Sequence, residues 1–497
     1  MRLRVLSSHA TFSWLRRVAL LLAFLGCGGS MERETPPAPA VVPGPPARDM
    51  RPAVGQPAPF VAPPAQRFKL ANGISVVLAE RHTTGNVHWQ LSFPIGAVGD
   101  PAGKEGRTAM CMWAFLSGGA EDSQERLADM ASRLHANWGL EDVRLNGFSR
   151  RQHLEATVDL FRQLWNKPGG DAWALDWTVQ QLVNDLAQAN ADPASIAHRL
   201  FRPLAFGPQH PYGRLPTTDS YRATNSFDCA EVRRSLDLQQ ATLFIGGDVT
   251  ASDVTRLFGT LVPRPANNPV VSVPPTAPSQ ARLAFVDTPG ATQATILLWA
   301  PGPTVKSPEY YAADVLSAIL SGGPRSRLAL DLREMMGSTY SVYGGFGYYK
   351  TAGALNVYAP VAANRVRPAI EAIVRALEIL RTVPVPEAEL RFVRDGQIRA
   401  LPVGFETIEG TLSGLRSIHH YDLALDHFDR LSSNLLRVDE AAVRMVAEAY
   451  LNPNNLRFLV VGDARVVAPA LEELATTPAF EGSRPLLLDV FGRPVNR

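Results

Sequence analysis

A repeat with a period of about 200 residues is the feature that most limits how this chain can fold. The letters LSGG at residues 116–119 return at 320–323, each time at the end of an apolar run with helical spacing. An apolar run that ends in Gly-Asp, at residues 243–248, returns at 458–463. The two matches come in the same order and at nearly the same offset. The sequence therefore predicts two homologous halves.

The halves are predicted to span residues 67–262 and 281–480, with a linker at 263–280 between them and a tail at 481–497. The linker is rich in Pro, Asn and Ser and contains no long apolar run, as expected of a connection between domains. The chain has 497 residues, of which 46% are hydrophobic, so it is long enough to bury more than one core.

The pattern of the first half mixes strands with pairs of helices. Two strand-like runs flank an Asn-Gly turn signal at Asn72 and Gly73, which predicts a hairpin, and an alternating run follows at 88–93. Residues 106–117 and 122–136 have helical spacing. Strands interrupted by helical pairs favour an α+β fold, in which each half is a mainly antiparallel sheet with helices packed on one face.

The first 27 residues have the pattern of a processing signal. Four arginines precede an apolar run at 18–25 that is too short to span a bilayer as a helix. The run ends in Leu25-Gly26-Cys27, which resembles a bacterial lipobox. Cys27 is therefore predicted to be lipidated and to anchor a cell-envelope lipoprotein that faces the periplasm. The alternative is an ordinary secretory signal that is cleaved nearby.

The segment that follows, residues 28–66, is predicted to be a tether. It is crowded with proline and cannot form a core, so it is expected to stay extended at roughly 3 Å per residue. The tether would hold the folded part of the chain away from the membrane to which Cys27 is anchored.

Composition argues against a protein that binds nucleic acid and against one that is built on disulfides or a cysteine metal site. The chain has 49 Lys and Arg residues and 47 Asp and Glu residues, which give a formal net charge of +2. This charge is too small to attract nucleic acid to the protein as a whole. After the signal only Cys111 and Cys229 remain, which are too few to predict a disulfide scaffold or a cysteine metal site. Stability is therefore expected to come from packing.

A set of short motifs, in this order, resembles the insulinase/pitrilysin family of zinc metallopeptidases, the inverzincins. The resemblance covers residues 67–478 and implies one α+β unit repeated twice as a half-clamshell, with an inverted zinc motif, His-x-x-Glu-His, on the first helix. The motifs are the Asn72-Gly73 hairpin, the helix that ends at 117–119, HPYGR at 210–214, Gly-Asp at 247–248 and 462–463, and SRL at 326–328 followed by LRE at 332–334.

The zinc motif itself is missing. Two histidines four residues apart would hold the metal, and a glutamate beside them would deprotonate the bound water. The resemblance places Ala109, Met112 and Trp113 at these positions, and none of them can serve. Asp185 stands where the family has its third ligand, but one aspartate makes no site. The chain is therefore predicted to bind no metal, and zinc is expected in a partner.

The second half keeps a different feature of the family. Arg333 and Tyr340 have the Arg-x6-Tyr spacing that the family uses in its C-terminal half or partner subunit. The resemblance implies that both side chains act in trans and donate hydrogen bonds to the substrate carbonyl, where they stabilise a developing oxyanion. The alternative is an arginine on a solvated helix face followed by a half-buried strand tyrosine.

Two other segments carry weaker signals. His419, His420 and His427 form the densest group of possible metal ligands, but polar residues on a pair of helices explain them more simply. The run at 348–358 alternates like an exposed strand, which would suit the addition of an extended peptide, and surface packing explains it equally well.

The resemblance implies a non-catalytic, substrate-binding subunit of a heterodimeric zinc metallopeptidase that acts on peptides in the cell envelope. Its partners would be a homologous zinc-bearing subunit, an extended peptide and, through the lipid anchor, a membrane; nucleic acid is not expected. The alternative is a peptide-binding chaperone or scaffold lipoprotein without hydrolysis. A homodimer and a chain that is active alone through relocated ligands also remain open at this point.

Overall fold

The computed structural model describes residues 55–117, 121–166, 172–264, 276 and 278–495. Cys27, the signal, most of the tether and most of the linker lie outside these residues, as does the end of the first LSGG segment. In the described part no helix is both long and apolar enough to cross a membrane.

The described residues form two six-stranded sheets and sixteen α-helices. The strands are β1 (Gln66–Lys69), β2 (Ser75–Glu80), β3 (Asn86–Phe93), β4 (Arg133–Trp138), β5 (Val143–Arg150), β6 (Thr242–Gly247), β7 (Leu283–Asp287), β8 (Gln293–Gly302), β9 (Tyr343–Tyr348), β10 (Gly353–Ala362), β11 (Arg457–Gly462) and β12 (Leu486–Leu488). The helices are α1 (Arg107–Ser117), α2 (Glu121–Asp129), α3 (Leu154–Asn166), α4 (Ala172–Ala189), α5 (Pro193–Phe206), α6 (Thr218–Arg222), α7 (Ser226–Arg234), α8 (Ala251–Phe258), α9 (Tyr310–Ser321), α10 (Arg327–Ala329), α11 (Val366–Thr382), α12 (Glu387–Gly404), α13 (Ile408–His420), α14 (His427–Leu436), α15 (Glu440–Tyr450) and α16 (Ala464–Ala475).

Five strands of each sheet have the same topology, which confirms the predicted α+β fold of two similar halves. The strand order is β1-β2-β6-β3-β5-β4 in the first sheet and β12-β7-β11-β8-β10-β9 in the second. In each sheet the parallel pair β2 with β6, or β7 with β11, is followed by three antiparallel pairs. The sixth strands differ, because β1 pairs antiparallel with β2 and β12 pairs parallel with β7. The repeated segments that end in Gly-Asp are β6 and β11, which lie at equivalent positions inside their sheets.

Local sequence explains most of the first half. The predicted hairpin is present, and its turn is fixed because Gly73 has a φ of 95° and the Asn72 amide donates to the carbonyls of Phe258 and Leu261 at 2.9 and 3.0 Å.

The single helix predicted over 122–136 is wrong. Helix α2 ends at Asp129, and the rest of that run forms β4, because pairing with β5 along its whole length outweighs the helical spacing of its apolar residues.

One face of each sheet carries the main layer of helices, as predicted. Helices α1, α3, α4 and α8 cover the first sheet, and α9, α11, α15 and α16 cover the second. In β3 every second side chain is buried against this layer, which is the period expected of a strand with one core face.

The opposite faces are covered by a reciprocal exchange of helices, which the sequence did not predict. Helix α5 belongs to the first half but packs on the second sheet against Leu297, Trp299 and Leu459. Helix α13 belongs to the second half but packs on the first sheet, where Leu412 contacts a cluster that includes Phe244. Each half therefore completes the burial of the other.

The exchange predicts a large effect for a truncation on α13. Leu412 is fully buried, so Leu412→Ala should lower the free energy of unfolding by about 3 kcal/mol, the usual cost of the lost transfer energy and the cavity. Urea unfolding followed by tryptophan fluorescence measures this value. The matched control is Leu425→Ala, because Leu425 is 64% exposed. Equal stability of the two variants would contradict a structural role for α13 on the first sheet.

Candidate functional site

Helix α1 places the positions of the missing zinc motif in an apolar environment. Met112 is completely buried in the core of the first half, and Ala109 is partly buried. The Trp113 ring stacks on Trp138 of β4, with 6.5 Å between centroids and 28° between planes. These side chains offer no metal ligand, so this position in the fold does not fit a zinc ion.

Asp185 does not change that conclusion. It lies on the exposed side of α4, where its carboxylate accepts a hydrogen bond from the Gln181 amide at 2.9 Å. In the described part of the chain no three His, Cys, Asp or Glu side chains lie together in a way that could hold a metal ion.

A groove runs beside β4 where the zinc motif would face. It has a volume of about 290 Å³. Among the described strands β4 pairs only with β5, so the other edge of β4 has no strand partner there. The lining residues are Met112, Trp113, Gln124, Leu134, His135, Ala136 and Trp138.

Arg333 and Tyr340 are brought together. Arg333 lies in a π-helical turn, Leu330–Met335, that follows α10 directly. Gly337 then adopts a φ of 57°, which favours glycine, and the Ser338 amide donates to the Leu332 carbonyl at 2.8 Å. This turn brings the chain back over the π-helical segment.

The resulting contact is a cation–π pair at the surface. The Arg333 guanidinium carbon lies 5.0 Å from the centroid of the Tyr340 ring, and its Nε lies 3.3 Å from a carboxylate oxygen of Glu334. Tyr340 is 84% exposed and precedes β9, so it is not the half-buried strand tyrosine of the alternative interpretation. Both side chains present hydrogen-bond donors to solvent.

A disulfide joins Cys111 of α1 to Cys229 of α7. The expectation that packing alone stabilises the chain was therefore wrong. The two cysteines are 118 residues apart, and only the packing of α1 against α7 brings them together. Two cysteines in a long chain gave no signal of this pairing.

A buried polar network between the halves was also missed. The Glu141 carboxylate, in the turn between β4 and β5, accepts hydrogen bonds from the Tyr212 hydroxyl and from the Lys350 amide, and lies 3.2 Å from Nε2 of His420. The next residue, Asp142, accepts from Arg416 of α13 at 3.1 Å. Tyr212 belongs to the HPYGR motif noted in the sequence, which was the only available signal.

The three histidines of the densest group of possible ligands have separate partners. His420 contacts Glu141, His419 lies 3.0 Å from the Thr242 hydroxyl, and His427 stacks on Tyr311. The histidine cluster is therefore structural, as the simpler interpretation predicted.

The network shifts the pKa values of Glu141 and Tyr212. Burial opposes the charge of Glu141, but the hydrogen bonds from His420 and Tyr212 outweigh it, so the pKa of Glu141 lies below its usual value. Burial and the hydrogen bond to Glu141 raise the pKa of Tyr212, which keeps the phenol protonated as the donor at neutral pH.

This arrangement predicts a stability that depends on pH. A carboxyl group with a depressed pKa stabilises the fold above its unfolded pKa of about 4.3, and this contribution is lost as the pH falls through the folded pKa. Glu141→Gln should therefore lower the free energy of unfolding by about 2 kcal/mol at pH 7. The difference from the unsubstituted chain should shrink below pH 4.

Urea unfolding at pH 7 and at pH 3.5 measures both values. Glu481→Gln is the control, because Glu481 is exposed. A difference that stays the same at both pH values would show that the Glu141 charge does not hold the halves together.

Comparisons with known proteins agree with this structure. Residues 236–396 match the family model described as "Peptidase M16 inactive domain". A protein of Mycobacterium leprae, described as an uncharacterized zinc protease, is 26% identical over 329 residues, which are 61% of this chain and 71% of that protein. The uncharacterized zinc protease YmxG of Bacillus subtilis is 20% identical over 366 residues, 70% of this chain and 86% of that one.

Solved structures have the same fold. The crystal structure of a peptidase M16 inactive domain from Pseudomonas fluorescens superposes with a TM-score of 0.72 at 18% identity, and covers 80% of this chain and 98% of that one. The periplasmic protease PqqL of Escherichia coli superposes with a TM-score of 0.66 at 16% identity, over 84% of this chain but only 48% of that one.

Proposed function

Since this chain is an M16-family peptidase homologue, we propose that it acts as the non-catalytic, peptide-binding subunit of a zinc metallopeptidase formed with a homologous, zinc-bearing chain. In this role it supplies Arg333 and Tyr340 to the active site of its partner. The partner supplies the metal, because the motif positions on α1 of this chain hold no ligand.

The contact between Arg333 and Tyr340 is the observation that carries the proposal. The Arg333 guanidinium carbon already lies 5.0 Å from the centroid of the Tyr340 ring, and both side chains are accessible from solvent. A guanidinium and a phenol that donate to the same substrate carbonyl stabilise an oxyanion by a few kcal/mol when water is excluded. Docking against the partner would exclude the water.

The length of the chain supports a complex of two homologous chains. It spans about half of the periplasmic protease of Escherichia coli, so two chains of this kind together reach the length of that protein. The match of residues 236–396 to a peptidase inactive domain also supports an active homologous subunit as the partner.

The cell envelope is the proposed location. The N-terminal pattern predicts a signal and a lipid anchor at Cys27, and the proline-rich tether at 28–66 would hold the folded halves away from the membrane. The buried disulfide between Cys111 and Cys229 supports an oxidising compartment such as the periplasm.

The second candidate is a scaffold that binds peptides without hydrolysis. The open edge of β4 and the groove beside it favour this candidate, because both would hold a peptide without any metal. Activity of the chain alone through relocated ligands is not favoured, because the described residues include no group that could hold a metal.

Co-purification of the tagged chain from its own cells, with mass spectrometry, tests the partner. A stoichiometric homologue that carries His-x-x-Glu-His is the expected result. Recovery of the chain alone, or with unrelated envelope proteins, would overturn the subunit proposal in favour of the scaffold.

Substitution of Arg333 in the assembled pair tests the site. Arg333→Ala should lower kcat about 100-fold, the usual effect of removing one oxyanion donor, and should leave the zinc content of the pair unchanged. Arg391→Ala is the matched control, because Arg391 is 64% exposed on α12. Unaltered turnover in Arg333→Ala and Tyr340→Phe, measured with a quenched fluorescent peptide, would remove the main support for the proposal.

A further inference from the structure

The last residues of the predicted tether pack against the folded part of the chain. Phe60 contacts Phe405 with 4.9 Å between ring centroids, and the Ala62 amide donates to the Asp429 carboxylate at 2.8 Å. Ala65 then packs on the cluster that α13 forms with the first sheet, and β1 begins at the next residue. The segment at 60–66 therefore fixes the place where the chain enters the fold.

An aromatic cluster marks this place. Phe405, which follows α12 directly, is buried, and its ring meets the edge of Phe428 of α14 with 4.9 Å between centroids. The Phe405 ring also lies against Gly414 of α13, where a Cβ atom would come within 2.7 Å of it. Phe60, Phe405 and Phe428 thus join the chain entry to three helices of the second half. The surface around these three rings is called the entry corner below.

Three aliphatic side chains project from the entry corner into solvent. Val61 is 75% exposed, Val403 is 68% exposed and Leu425 is 64% exposed. Each of them lies within a few residues of one of the three rings along the chain. They are among the most exposed apolar side chains of the described residues. A group of this kind indicates a surface that contacts another apolar surface.

The charged groups of the entry corner are balanced rather than basic. The Arg430 guanidinium lies 2.6 Å from the Asp426 carboxylate, and the Asp429 carboxylate accepts from the Ala62 amide. Glu406 is exposed next to Phe405. A cluster of Lys and Arg would indicate attraction to anionic headgroups, and the described residues of this corner have no such cluster. Contact with a bilayer would therefore depend on the aliphatic side chains.

The place of the entry corner in the chain identifies what it contacts. Residues 28–54 lie between Cys27 and Gly55, the first described residue. A proline-rich segment of this length reaches roughly 80 Å at about 3 Å per residue, so a lipid on Cys27 would keep the corner within that distance of a bilayer. Of the surface that the structure describes, this corner is the part nearest to the anchor along the chain.

We propose that Val61, Val403 and Leu425 form a membrane-contact surface, which inserts aliphatic side chains into the interfacial region of the bilayer that anchors the chain. This contact orients both halves, because the segment at 60–66 packs on the second half and continues into β1 of the first. The proposal rests on the proposed envelope location, and it does not depend on the subunit role.

The test uses an artificial anchor, so that it does not require lipidation of Cys27. A decahistidine segment replaces residues 1–27 and binds the chain to phosphatidylcholine vesicles that contain a nickel-chelating lipid. The environment-sensitive fluorophore NBD is attached to a single introduced cysteine, Val403→Cys or, as the control, Met445→Cys. Met445 is 63% exposed on α15. The two remaining native cysteines do not take the label, because they form the buried disulfide.

The vesicles should raise the NBD emission at residue 403 at least twofold and shift it to shorter wavelength, because this position enters an apolar environment. The emission at residue 445 should stay unchanged. Equal responses at the two positions would overturn the proposal. So would the lack of a response at residue 403 when sedimentation shows that the chain is bound to the vesicles.

Removal of aliphatic side chains tests their contribution to the contact. With the label on Val61→Cys, the double substitution Val403→Ser and Leu425→Ser should reduce the rise in emission at least twofold. Its thermal unfolding midpoint should not change, because both side chains are exposed. Met445→Ser with the same label is the matched control and should give the full rise. A full rise in the double variant would mean that these side chains do not make the contact.

Lipid composition separates apolar insertion from attraction by charge. Replacement of a quarter of the phosphatidylcholine by phosphatidylglycerol should not increase the response at residue 403, because the charges of the entry corner are balanced. A response that needs phosphatidylglycerol and disappears at high salt would contradict an apolar contact.

The failure of this surface and the failure of the envelope location give different results. If labelled fatty acid does not appear on Cys27 in cells but the responses on the artificial anchor are as expected, the lipid anchor alone is wrong. If Cys27 is lipidated but residue 403 gives no response, the membrane-contact surface alone is wrong.

Discussion

The exchange of α5 and α13 is the constraint on which the rest of the structure depends. One face of each sheet is covered by helices of its own half, and the other face also carries buried apolar side chains. A helix from the other half packs on the second face, so each half has its own core but neither covers both faces of its sheet. The Glu141 and Asp142 carboxylates then fix the contact with hydrogen bonds to His420 and Arg416. The two halves are therefore held as one unit by apolar burial and by charge.

Helix α1, where the family resemblance places the zinc motif, is packed into the core of the first half. Met112 is buried in the core, Cys111 is joined to α7, and Trp113 packs against β4 and α4. A glutamate at residue 112 would place a charge in an apolar environment at a cost of several kcal/mol. The packing of α1 is thus incompatible with the acid–base chemistry of the zinc motif, beyond the absence of the ligands.

The sequence predicted the features that depend on local pattern. The repeat of β6 and β11 was visible because both are central, buried strands, and the Asn72 turn was visible because its conformation needs glycine at the next position. The exchange was not visible, since an amphipathic helix shows which of its faces is buried but not which sheet buries it. The helix assigned over β4 failed for a similar reason, because strand pairing is a long-range interaction.

The candidate site was also predictable from the sequence only in part. The spacing of Arg333 and Tyr340 could be recognised in the sequence, but their contact depends on the π-helical turn and on Gly337, which spacing does not specify. Glu141 carried no signal at all, because its partners lie 71 to 279 residues away along the chain. The groove beside β4 depends on Trp113 and Trp138 meeting across a helix and a strand.

The position of α5 on the second sheet also has a consequence for biosynthesis. Residues 193–206 emerge from the ribosome early, whereas one of the strands that they cover, β11, ends at residue 462. The apolar side of α5 therefore has no complete surface to bind until most of the chain has been made. Domains of many large proteins fold one after another as they are synthesised, but here α5 can dock only after the second half has been made.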